Sequence, residues 1–182
     1  METSIIIAGF GGQGVLFAGQ LLAYAGMKVG KHVTWIPSYG PEMRGGTANC
    51  TVIISDDVIG APLVAQPDVA IALNSPSFEK YEPLVKEKGL LVVNSSIITE
   101  KSQRLDLETV YLPANSIAEE AGTIKMLNVA AIGAMLSRRP VLELEVVQAT
   151  LVEHMSKKKA QLVEANLRVL KRGYEAGSLV AA

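Results

Sequence analysis

Two glycine-framed stretches concentrate the ligand-shaping residues of this 182-residue sequence. The first, Gly9-Phe10-Gly11-Gly12-Gln13-Gly14, has the G-x-G-x-x-G spacing. Glycines carry no Cβ, so the backbone can turn tightly and approach a phosphate. A helix starting just after them offers unpaired N–H groups and the positive end of its dipole. The second is Ser38-Tyr39-Gly40-Pro41-Glu42-Met43-Arg44-Gly45-Gly46-Thr47. Gly40-Pro41 and Gly45-Gly46 favour turns that hold Glu42, Met43 and Arg44 in one pose. The Arg44 guanidinium suits a carboxylate or phosphate, and Met43 is an adaptable apolar contact. Loops of defined shape tend to carry function, which favours an interface or ligand role over a solvated tip in which Arg44 pairs with Glu42.

The turn stops short of a dinucleotide site. Such a site needs an acidic residue at the end of the second strand, roughly twenty residues on, to hold ribose hydroxyls. Here Trp35, Ile36, Pro37 and Ser38 occupy that position. Three uses of the turn stay open: close strand–helix packing, binding of another anion, or contact with a partner's backbone. A self-sufficient nucleotide-binding protein using Gly9 to Gly14 directly is the rival reading of the whole chain.

Little else offers chemistry. A single cysteine, Cys50, excludes an internal disulfide and fits a reducing, cytoplasmic setting. One thiol and two histidines, His32 and His154, suggest no metal site, since clusters and structural zinc need several ligands at short spacing. Cys50 sits among β-branched neighbours and reads as a small buried hydrophobe, and both histidines as surface residues. No catalytic residue is assigned. A formal net charge of −1 gives no global attraction to nucleic acid or an anionic membrane. Lys157, Lys158, Lys159, Arg168, Lys171 and Arg172 nonetheless give the C-terminal region a basic side, of a kind that is usually solvated. The start METSIIIAGFGG has no basic n-region, so no secretory signal is expected, and no apolar run is long enough to span a bilayer.

The elements that must position these stretches follow from hydrophobic periodicity. Residues 4–8, SIIIA, read as a strand buried on both faces, and residues 15–27 as a buried helix with Val15, Ala18, Leu22 and Ala25 on one face. Residues 31–37 and 48–55 read as strands. Their link has no helical pattern and is too short for a parallel crossover, so they pair antiparallel or sit apart in a mixed sheet. Residues 68–73, a helix over 77–88 capped by Asn74-Ser75-Pro76, and residues 90–93 make a βαβ unit. Residues 109–113 add a strand, and helices follow over 115–121, 124–139, 141–155 and from about 157 to 174. Asn128 lies among apolar residues in one of them, where propensity does not favour it, and a brace to a neighbouring loop such as the glycine turn is its expected use. The expected fold is a Rossmann-like three-layer α/β domain over residues 1–182, with a mixed, mostly parallel sheet and a helical C-terminal part.

The opening IIIAGFGGQGV, the loop IPSYGPEMRGGTANC and the helix around KMLNVAAIG resemble the gamma subunit of the 2-oxoacid:ferredoxin oxidoreductases. The resemblance covers essentially the whole chain. It implies a subunit of a complex that oxidatively decarboxylates a 2-oxoacid to its acyl-CoA and passes electrons to ferredoxin. The partners implied are alpha, beta and delta-type subunits, which are expected to carry thiamine diphosphate, Mg and [4Fe-4S] clusters. Coenzyme A is a substrate of the complex, and no cofactor is expected on this chain alone. The form GPEMRGGTANC looks more like the 2-oxoglutarate and branched-chain 2-oxoacid enzymes than the pyruvate ones, whose loop tends to read GPERRGAPV. Tyr39 to Thr47 is then expected at a subunit junction near the active-site entrance, with Arg44 meeting a partner carboxylate or a coenzyme A phosphate.

Overall fold

In the computed structural model, which describes residues 1–38, 47–155 and 160–179, the first apolar run becomes β1 (Glu2–Phe10) and the glycine turn leads into α1 (Val15–Lys28). The strands β2 (His32–Ser38) and β3 (Thr47–Ser55) follow, and then β4 (Val69–Ala72), α2 (Ser75–Tyr81), β5 (Leu90–Asn94) and β6 (Glu108–Leu112). The rest is helical: α3 (Ala114–Glu120), α4 (Leu127–Arg138), α5 (Leu144–His154) and α6 (Ala160–Leu179).

The six strands form one sheet in the order β2-β3-β1-β4-β5-β6. β3 runs antiparallel to both β1 and β2, while β1, β4, β5 and β6 are mutually parallel. The short link after β2 thus does what its length requires and returns the chain antiparallel. Alternation along the strands divides the core in two. Ile5, Ile7, Val69, Ile71, Leu90 and Val92 face α1, α4 and α6, whereas Ile6, Ala8, Ala70, Ala72, Leu91 and Val93 face Phe78 and Tyr81 of α2. Both faces are covered, which is why these strands read as continuous apolar runs.

Three predicted helices are shorter than their patterns suggest; the one expected over 141–155 spans only Leu144–His154. The helix expected over 77–88 starts earlier, because the Asn74 side chain accepts from Ser77 N at 2.9 Å, and its α-helical part ends at Tyr81. Pro83 lies in the 3₁₀ turn Glu82–Leu84 that follows; it lacks an N–H and cannot continue an α ladder. Arg104 reaches back and donates to the carbonyls of Glu82 and Val85 around this ending, at 3.1 and 2.7 Å. The helix expected over 124–139 likewise begins as a 3₁₀ turn, Ile124–Met126, capped by Thr123. The final helix extends past the expected end, to Leu179. There it crosses α4 closely enough that a Cβ on Gly173 would lie 2.1 Å from Ala130 O.

Candidate functional site

The carboxyl ends of β1 and β4 are neighbours, and the helices that follow them leave on opposite faces, α1 onto one core and α2 onto the other. That is the topological switch point at which open α/β sheets bind ligands. The glycine turn lies there. Gln13 N donates to Phe10 O at 3.1 Å and closes the turn, while Gly12 and Gly14 take φ of 96° and 73°, the left-handed region that favours glycine. Gly14 is the N-cap of α1, whose first turn holds no acidic residue and which receives no side-chain cap.

Two amide side chains set the shape of the turn. Gln13 Oε1 accepts from Phe10 N at 2.6 Å, and Gln13 Nε2 donates to Leu73 O, at the end of β4, at 3.1 Å. Asn128, 3% exposed on α4, donates through Nδ2 to Gly14 O at 2.9 Å. Its Oδ1 is buried without a hydrogen-bond partner among the described residues. The expected brace from Asn128 to the glycine turn is therefore present.

Sequence reasoning did not find what completes this edge. Leu73 O also accepts from Asn94 Nδ2 at 3.4 Å, and Asn94 Nδ2 in turn donates to Asn115 Oδ1 at 3.0 Å. The available signal was an asparagine at or just after the end of each of β4, β5 and β6. Phe10 projects from the turn half-exposed.

Of the second stretch, Ser38 ends β2 and is exposed, and Thr47 opens β3. Tyr39, Gly40, Pro41, Glu42, Met43, Arg44, Gly45 and Gly46 lie outside the described residues, as do Lys157, Lys158 and Lys159. The register nonetheless places both anchors. Thr47 is opposite Phe10, and Ser38 is opposite Asn49, so the segment leaves and returns at the edge that carries the glycine turn.

The antiparallel β3 lies between β2 and β1, which moves Ser38 two strand spacings from the turn, about 10 Å rather than about 5 Å. Even a carboxylate at the end of β2 would stand a strand too far away for the ribose of a nucleotide held by the turn.

Of the remaining candidates, Cys50 and His154 have packing roles. Cys50 is fully buried, its thiol donates to Val15 O at 3.4 Å, and burial pushes its pKa up to about 11, away from reactivity. His32 is exposed, and His154 stacks on Tyr24 with ring centroids 4.2 Å apart. Arg172 pairs with Glu120, which removes one charge from the basic side of α6. Among the described residues no three His, Cys, Asp or Glu side chains gather as metal donors, and no helix is long and apolar enough to cross a membrane.

Comparison with known proteins bears on this geometry. The family described as Pyruvate ferredoxin/flavodoxin oxidoreductase matches residues 4–176. The ketoisovalerate oxidoreductase subunit VorA of Methanothermobacter thermautotrophicus is 36% identical over 174 residues, 96% of this chain and 36% of VorA. The chain thus spans about a third of the length of the VorA relatives it matches. The 2-oxoglutarate synthase subunit KorC of Archaeoglobus fulgidus is 34% identical across 98% of this chain and 90% of its own. The crystal structure of a keto/oxoacid ferredoxin oxidoreductase gamma subunit from Geobacter sulfurreducens superposes with a TM-score of 0.86, covering 97% of each chain at 29% identity.

Proposed function

The chain belongs to the pyruvate ferredoxin/flavodoxin oxidoreductase family, and on that premise we propose that it is the gamma-type subunit of a 2-oxoacid:ferredoxin oxidoreductase working in the cytoplasm. The observation that carries this reading is its likeness to KorC over nearly the full length of both chains. Residues 1–182 act as one domain of a complex that oxidatively decarboxylates a 2-oxoacid to acyl-CoA, with ferredoxin as electron acceptor. The relatives named for 2-oxoglutarate and ketoisovalerate support those two acids ahead of pyruvate as substrates.

The residues here do not fit the redox groups such a complex needs. One buried thiol with a raised pKa cannot ligate a [4Fe-4S] cluster. Thiamine diphosphate, Mg and the clusters are therefore assigned to alpha, beta and delta-type partners. This chain contributes shape: a rigid turn at the switch point and, anchored beside it, the segment from Tyr39 to Thr47. Arg44 in that segment meets a partner carboxylate or a coenzyme A phosphate. In Arg44→Ala, either subunit assembly weakens or the KM for coenzyme A rises, on the order of tenfold for a lost charge-assisted bond. Unchanged assembly together with unchanged coenzyme A dependence would refute both roles.

Native purification of the chain with its partners, followed by mass spectrometry and assays of thiamine diphosphate and iron, tests the subunit reading. Larger chains carrying both should accompany it, and the complex should reduce ferredoxin with 2-oxoglutarate or ketoisovalerate plus coenzyme A. A chain that purifies alone and binds a nucleotide tightly at Gly9 to Gly14 would overturn it.

A further inference from the structure

A G-x-G-x-x-G turn recognises phosphate only while its N–H groups are free and the space left by its missing side chains is empty. Both conditions fail around Gln13, although the space at Gly12 is open. Phe10 N–H, within the motif, already donates to Gln13 Oε1 at 2.6 Å. The two glycines that frame the motif make room for amides instead. A Cβ on Gly9 would lie 2.6 Å from Gln13 Oε1, and a Cβ on Gly14 would lie 2.5 Å from Asn128 Nδ2 and 3.2 Å from its Oδ1.

Gln13 then crosses the switch point to Leu73 O and ties the end of β1 to the end of β4. The turn presents one amide oxygen to anything arriving at the start of α1, Gln13 Oε1, already bonded; behind it Asn128 Oδ1 is buried and unpartnered among the described residues. Lone pairs held there repel a phosphate that the helix dipole would otherwise attract.

We infer that Gln13 is the specificity-determining residue of this turn: its side-chain amide occupies the place of a phosphate and closes a nucleotide-type site from within. The family reading is not needed for this inference, because it rests on the turn's own hydrogen bonds.

Inorganic pyrophosphate, titrated into the ¹⁵N-labelled full chain and followed through backbone amide shifts, provides the test. The wild-type chain should show no saturable shift at Phe10, Gly11, Gly12, Gly14 or Val15, and its Phe10 amide should exchange slowly with solvent. Gln13→Ala, with its fold checked by thermal melting, frees Phe10 N–H and should show saturable shifts at those residues, with affinity raised on the order of tenfold or more. Gln13→Ser serves as a second variant of the same kind. Saturable binding to the wild-type turn, a Phe10 amide exchanging at the free rate, or folded variants that still ignore pyrophosphate would each overturn the inference. Should both variants fail to fold, the wild-type titration and the Phe10 exchange rate still decide it.

Discussion

The two edges of the sheet are held by different physics. At the amino edge the bonds are ionic. Asp68 accepts from Ser4 N and Ser4 Oγ at 2.8 and 2.6 Å and from Lys86 Nζ at 2.7 Å, and Glu108 pairs with Arg138 and Arg139. Asp56 there is drawn down to about 2 by Lys31 and the terminal ammonium. At the carboxyl edge the bonds that shape the glycine turn run through Gln13, Asn128 and the backbone, with no formal charge among them. Charged bonds can tie down loops that have only to stay in place. A turn meant for contact is better held by neutral bonds and steric fit, which leave its geometry indifferent to salt and pH.

The sharpest way to break this comparison is Gly14→Ala. The new Cβ meets Asn128 at 2.5 Å, and φ of 73° strains any residue with a side chain. A loss of about 2–4 kcal/mol is expected in denaturant unfolding, unchanged by added salt. A mild or salt-sensitive effect would show that sterics do not hold this edge.

A smaller effect is expected at the opposite edge. Burial alone would raise the pKa of Asp68, but hydrogen bonds from Lys86 and Ser4 outweigh it and hold the carboxyl below its ordinary 3.8. Its contribution is therefore fully present above that value and is lost as pH falls through the lower folded one. Asp68→Asn should cost about 1–2 kcal/mol at neutral pH and flatten the acid limb of stability against pH. An unaltered acid limb would remove Asp68 from the account.

Smallest of all is the exposed pair Lys28–Glu153, 2.5 Å apart. Lys28→Ala should change stability by no more than about 0.5 kcal/mol. A larger loss would mean that charge supports the α1 side of the molecule as well.

Much of the fold was legible because its patterns are local. The run around Ile5 to Ile7, the cap at Asn74 and the link after Pro37 each carry their own signal, and the structure agrees with the strand, the cap and the antiparallel return. Asn128 was legible for the opposite reason, as a polar residue out of place in an apolar helix. The length of α2 was misread because apolar spacing continued through Pro83, where the backbone lacks the N–H needed to follow it. Gln13 was legible only as a member of a motif, since nothing local announces that its amide reaches Leu73, sixty residues away.

By itself the sequence determined the element types, the mixed sheet, the poverty of metal and thiol ligands and the resemblance carried by SYGPEMRGG. These follow from periodicity, loop length and residue chemistry, which act over a few neighbours. Tertiary structure alone decided that β3 separates β2 from β1, that the spaces at Gly9 and Gly14 are filled by Gln13 and Asn128, and that Ser38 and Thr47 come to the edge carrying the turn. Strand order and the use of a missing side chain depend on which distant segment packs alongside, and that choice is made by burial of the whole core.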